Sequence, residues 1–269
     1  MATSNIDQQD DPLARLGELL TGDAAGEDDG LGSMSLIDHL EELRGRVFKA
    51  LIAIVIFTII AFVFRTQIVQ FLEIPLPKLA DQLPGSEGKI IVTGIAEGFT
   101  TMLLVSFAVG VMLSLPVILY QAWAFISPGL YEKEKKNAVP FIFIGVILFI
   151  MGIALGYVVL RYPVQWLVTF AAGSFVELVT ASSYFTFVAF FVLAFGLVFE
   201  IPLILTFMAQ IGLVSSKSLS KMRARSHIGM WIAATFLTPG ADIYSPVILG
   251  IAMSFLYELT IIFIRITKK

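Results

Sequence analysis

The side chains whose type and placement could do chemistry in this chain are carboxylates. Glu200 lies in Phe195-Gly-Leu-Val-Phe-Glu-Ile-Pro-Leu203, deep in an apolar run and two residues before Pro202. A charged residue at the centre of a membrane helix costs roughly 2.5–3.5 kcal/mol on insertion scales, so this carboxyl must be protonated, face a wet cavity or hold a partner. A neutral acid bonded to a nearby hydroxyl, or to the carbonyl freed by Pro202, would need no ligand; a functional role is the default for an intramembrane acid. Glu258 is a weaker case, since Tyr257 and a nearby water interface could solvate it.

Two further acidic groups flank apolar runs. In Ser35-Leu-Ile-Asp-His-Leu-Glu-Glu-Leu-Arg-Gly-Arg46, Ser35 followed by Asp38 is a capping-box pattern that starts a helix. Leu36, Leu40, Leu43 and Val47 share one stripe at helical spacing, with Asp38, Glu41 and Glu42 opposite. These acids favour a helix amino end, and Glu42 can pair with Arg46 at i,i+4 without any ligand. In Ser127-Pro-Gly-Leu-Tyr-Glu-Lys-Glu-Lys-Lys136, Pro128 and its glycine stop a helix, and Glu132 and Glu134 stand among three lysines. Local charge balance accounts for that loop. Two acidic sites on one membrane face would also suit a cationic ligand, above all guanidinium groups, which take bidentate carboxylate bonds.

Other features read as architecture. Pro116 is expected to bend its helix, Pro163 follows Arg161, and Thr238-Pro-Gly-Ala-Asp-Ile-Tyr-Ser245 forms a turn. Asp242 in that turn caps the next helix or contacts a partner. There is no Cys, only His39 and His227 are histidines, and neither a Gly-rich phosphate loop nor a Ser–His arrangement occurs. Metal sites, cofactor binding and an ATP-driven pump are not expected, and nothing suggests a nucleic-acid partner.

The elements that must position these carboxylates follow from composition. The 269 residues are 57 % hydrophobic and 14 % charged, with 23 Phe, and the mean hydropathy is +0.88. A soluble domain carries roughly a quarter charged residues, so this is an integral membrane protein. Apolar stretches fall at 47–64, 99–125, 138–160, 185–211, 228–237 and 246–264. Backbone amides in hydrocarbon must be satisfied within the segment, so the expectation is an all-α, polytopic bundle of six transmembrane helices, the fifth and sixth short. Residues 1–33 carry eight acids and one base and are expected to be a disordered acidic tail, leaving 34–269 as the membrane domain. With the amino end inside, the inner segments hold thirteen Lys and Arg and the outer loops four, which puts both termini in the cytoplasm.

Four separated stretches, His39-Leu-Glu-Glu-Leu-Arg-Gly-Arg46, Pro116 to Tyr131 with Glu134, Phe195 to Pro202, and Leu237-Thr-Pro-Gly-Ala-Asp242, resemble the TatC family, the multispanning core subunit of the twin-arginine protein translocase. The resemblance covers Met34 to Lys269. It implies six helices in a concave arrangement in the plasma (inner) membrane of a prokaryote. It also implies a receptor for the twin-arginine signal peptides of folded cargo that assembles with single-span TatA/TatB-type subunits, in several copies, for export driven by the proton motive force. By the same resemblance, Glu42 and Glu134 take the cargo arginines, with Leu43, Arg46 and Phe125 nearby. Glu200 is the intramembrane acid that engages partner helices, and Pro75, Asp242 and Glu258 match family positions. The turn at Thr238 is one residue longer than the commoner form, and Pro246 replaces a polar residue.

Such a protein is not an enzyme. A small-solute secondary transporter would also use an intramembrane acid, but the chain shows no internal repeat. An intramembrane hydrolase would need a base beside a buried serine, and both histidines fall at expected cytoplasmic helix ends.

Overall fold

The computed structural model describes residues 36–77, 90–127, 138–170, 179–239 and 242–267. They form ten helices: α1 Leu36–Val63, α2 Arg65–Glu73, α3 Glu97–Ile126, α4 Ala138–Val159, α5 Arg161–Phe170, α6 Ala181–Phe199, α7 Ile201–Gln210, α8 Ser216–Lys221, α9 Arg223–Leu237 and α10 Tyr244–Thr267. The expected acidic tail, residues 1–33, lies outside the described residues. The chain divides into the units Met1–Glu41 and Glu42–Lys269. Of the first, the opening turns of α1 are described; the second contains the packed helices.

Among the described residues, five segments are long and apolar enough to cross a membrane: His39–Val63, Glu97–Ile126, Val139–Phe170, Ala181–Gln210 and Tyr244–Thr267. The fifth expected segment becomes α9, with 15 residues. At 1.5 Å per residue it covers about 22 Å, short of a ~30 Å hydrocarbon core. The sixth segment is longer than its apolar run suggested, because α10 spans 24 residues. It starts two residues before Pro246, and a proline in the first turn removes no intrahelical hydrogen bond.

Small residues let the backbones approach where lipid offers no hydrophobic drive between helices. A Cβ on Gly152 of α4 would stand 2.6 Å from the Phe195 carbonyl oxygen and 2.9 Å from Phe199 Cβ on α6. A Cβ on Gly156 would stand 2.8 Å from Phe195 Cβ, and one on Gly196 of α6 would meet the Phe149 ring at 2.7 Å. Each helix thus seats its phenylalanines on the other's glycines, and Phe149, Phe191 and Phe195 are fully buried. Gly110 of α3 similarly admits α1, since a Cβ there would lie 2.7 Å from the Thr58 backbone.

The end of the bundle bearing α2 is tied by polar contacts. The last carbonyls of a helix have no intrahelical donor. Here Tyr157 donates to Phe71 O and Tyr184 to Leu72 O, both at 2.7 Å, while the Phe71 and Tyr157 rings stack 4.5 Å apart. Pro75 follows in the turn that ends α2. Ile91 pairs with the segment before α6: its N–H donates to Val179 O at 3.3 Å, and Ala181 N–H donates to Ile91 O at 2.8 Å.

Candidate functional site

Glu42 and Arg46 sit one turn apart on α1, and the pairing expected from their spacing is present. Arg46 Nε donates to Glu42 Oε1 at 2.9 Å, and Nη2 donates to the same oxygen. Both side chains are about one-fifth exposed. The apolar stripe beside them faces outward, with Leu40, Leu43 and Val47 all exposed. This is the arrangement of a helix entering lipid, in which the apolar face needs no protein cover. Glu41 is exposed while Glu42 is half-buried, so the two neighbouring acids are not equivalent.

Phe125 is half-buried in the last turn of α3, which ends at Ile126 as the Ser127-Pro128 signal predicted. Pro128 and Glu134 lie outside the described residues. Pro116 is accommodated within α3, which runs 30 residues without a break.

Glu200 occupies the one-residue break between α6 and α7, with Pro202 at the second position of α7, where its missing N–H is harmless. Its backbone is satisfied: Glu200 N–H donates to Leu197 O at 3.1 Å, and its carbonyl accepts from Ile204 at 3.0 Å. The side chain is a different matter. Glu200 is 6 % exposed, and neither carboxyl oxygen has a hydrogen-bond partner among the described residues. The ligand-free arrangement read from sequence, an acid bonded to a neighbouring hydroxyl or carbonyl, is therefore not formed among these residues. Gly145 of α4 supplies the space, since a Cβ there would reach to 3.3 Å from Glu200 Oε2 and to 2.7 Å from Leu119. An unmet buried carboxyl is costly, and a group arriving from outside the chain can recover that cost.

Asp242 is buried and caps α10. Ser245 N–H donates to Oδ1 and Ser245 Oγ to Oδ2, both at 2.6 Å. Of the two readings left open for Asp242, the cap accounts for both oxygens. Glu258 is held by the preceding helix rather than by Tyr257 or an interface. Arg223 Nη2 donates to Oε2 at 2.8 Å, and His227 Nε2 lies 3.2 Å from Oε1. Tyr257 instead accepts from Ser226 Oγ and donates to Leu219 O, each at 3.0 Å. These contacts bind the α8–α9 segment to α10.

Sequence reasoning missed Glu97. Its Oε2 accepts from Thr93 N–H at 2.5 Å, Thr93 Oγ1 at 2.8 Å and Gly94 N–H at 3.1 Å. Its Oε1 accepts from Ser182 N–H at 3.0 Å and Ser182 Oγ at 2.7 Å. One carboxylate thus caps α3 and fastens it to the start of α6. The local signal was an acid in the first turn after Thr-Gly; its partner 85 residues away carried none. The Glu258 partners had a signal, because Arg223 and His227 are four apart and share a helix face. Among the described residues, no group of three or more His, Asp or Glu is placed to hold a metal ion.

Similarity to known proteins agrees with this layout. The family pattern of the Sec-independent protein translocase protein (TatC) matches residues 38–251. The TatC protein of Desulforapulum autotrophicum is 36 % identical over 233 residues, covering 86 % of this chain and 84 % of that protein. The TatC protein of Escherichia coli K12 is 36 % identical over 234 residues, with 86 % and 88 % covered. A crystal structure of the twin-arginine translocase receptor TatC in DDM superimposes with a TM-score of 0.73 at 29 % identity, covering 84 % of this chain and 99 % of that one. These relatives are named as translocase proteins, a transport role rather than an enzyme's, and they are bacterial. With five segments able to cross a bilayer among the described residues, the chain is a protein of the prokaryotic inner membrane. It belongs to the TatC family and is a Sec-independent protein translocase subunit.

Proposed function

We propose that this subunit is the receptor for twin-arginine signal peptides of folded precursors and the platform on which single-span TatA/TatB-type subunits assemble, with several copies in one complex. Residues 34–269 form the working membrane domain, and residues 1–33 are an acidic tail outside it. The observation that carries the reading is the Glu42–Arg46 fork, in which a guanidinium already sits on the carboxylate of α1. A cargo arginine offers the same chemistry and competes for the same carboxylate, while Lys retains the charge but loses the fork. Glu134 takes the second arginine, and Leu43 and Phe125 offer apolar contacts beside the pair. Both termini face the cytoplasm, and transport draws on the transmembrane proton gradient.

A partner helix docks near Glu200, where a polar group would satisfy the unmet carboxyl. Asp242 and Glu258 contribute by fixing α10 and α9, which flank that partner's path. Pro75, Pro128 and Pro202 shape the ends and breaks of the helices, and Pro116 the course of α3. The test is site-specific crosslinking of a twin-arginine precursor to membranes carrying the Glu42→Ala/Glu134→Ala protein. Loss of arginine-pair-dependent crosslinks is expected. Undiminished crosslinking would reject the assigned site.

A further inference from the structure

A groove of about 600 Å³ opens beneath α2 among α3, α4 and α6, and no role assigned above uses it. Apart from Gln67 of α2 and the hydroxyl of Tyr157, its wall is apolar: Ile68 and Phe71 of α2, Val105 and Met112 of α3, and Val188 and Val192 of α6. The hydroxyl of Tyr157, one of its few polar atoms, is already spent on Phe71 O. The groove runs from α2 to Met112, near the middle of α3, so it is about one leaflet deep. On the lipid side it is bordered by Ile150, Ala154 and Val158, all exposed.

Two arginines flank this wall by helical spacing, and Glu73 ends α2 beside Leu72. Ile150, Ala154 and Val158 recur every four residues along α4, and Arg161 comes three residues later, continuing that stripe past the end of the apolar wall. Arg65 stands one turn before Ile68 on α2. Arg65 donates Nη1 to Phe62 O at 3.1 Å, and Arg161 donates Nη2 to the Tyr162 hydroxyl at 3.3 Å. Their guanidinium carbons lie 4.9 Å and 4.8 Å from the Phe62 and Tyr162 ring centres. Each guanidinium has five N–H donors, and among the described residues neither meets a carboxylate. A planar fork with spare donors at membrane-interface level matches phosphate oxygens.

We propose that this groove holds an acyl chain of an anionic phospholipid whose phosphate is bound by Arg65 and Arg161. An apolar wall, one-leaflet depth and two flanking arginines with spare donors together describe an anionic lipid. A spanning helix from a partner protein fits less well, because α2 is bonded across the rim end through Phe71 O to Tyr157 and Leu72 O to Tyr184. A helix about 10 Å across that continued through the bilayer would have to displace it.

The test uses the full chain reconstituted in nanodiscs of equal phosphatidylglycerol and phosphatidylcholine with matched acyl chains, then released into mild detergent for native mass spectrometry. The wild-type protein is expected to retain phosphatidylglycerol at least tenfold over phosphatidylcholine. The R65Q/R161Q variant is expected to lose that preference, and Ala154→Phe, which fills the mouth, to retain less of both lipids. Equal retention of the two lipids by the wild-type chain would overturn the proposal without depending on any variant's folding. So would an unchanged preference in R65Q/R161Q, or a photocrosslinker at Val158 that captures a polypeptide in place of lipid.

Discussion

Replacing Gly152 by alanine tests the packing that positions Glu200. The added methyl would lie 2.6 Å from the Phe195 carbonyl oxygen and 2.9 Å from Phe199 Cβ, inside the 3.4–4 Å of ordinary contact. The oxygen is backbone and the other atom is the first of its side chain, so no rotamer change relieves the clash; α4 and α6 must move apart. Overpacking of this kind costs about 1–3 kcal/mol. The informative comparison is Gly145→Ala, seven residues back on the same helix face. There the close atoms are Leu119 Cδ1 at 2.7 Å and Leu203 Cδ2 at 2.8 Å, both ends of flexible side chains, with Glu200 Oε2 at 3.3 Å. Both substitutions gain the same helix propensity, about 1 kcal/mol, so that contribution cancels between them. Unfolding of the full chain in mixed micelles, followed by circular dichroism as the SDS fraction rises, should place the Gly152→Ala midpoint clearly below those of Gly145→Ala and wild type. Equal midpoints for the two variants would refute the close approach of α4 and α6.

Two other contacts make separable predictions in the same assay. Asp242→Ala removes the acceptor for both Ser245 donors at the start of α10 and should cost about 0.5–2 kcal/mol, as loss of a helix cap does; Asp242→Asn should recover most of it. Tyr184→Phe deletes the donor to Leu72 O while keeping the ring. It should cost about 0.5–1.5 kcal/mol and raise amide hydrogen exchange in α2 while leaving α10 unchanged; uniform loosening of both helices would contradict the assignment of that bond.

The membrane class, the all-helical build and the bounds of the second and fourth crossing segments were set by the chain's own chemistry. Hydrocarbon leaves a long apolar run no alternative to helix, and Pro and Gly mark its ends. The Glu42–Arg46 pair was equally legible, because i,i+4 neighbours on one helix meet whatever surrounds them. The reach of α10 was not, since Pro246 looks like a breaker until its place in the first turn is known. The cap at Asp242 was legible as well, but which helices Glu97, Glu200 and Glu258 meet was decided by tertiary structure. Glu97 Oε1 and the Glu258 carboxylate are satisfied by residues 85 and 31 or more positions away, a distance over which no spacing rule operates. Glu200 is left without a partner at a helix break, and Gly145 and Gly152 reveal their purpose only when α6 and α7 are laid against α4. Sequence names which groups are expensive to bury; only the meeting of helices determines which of them are paid for within the chain and which wait for a partner.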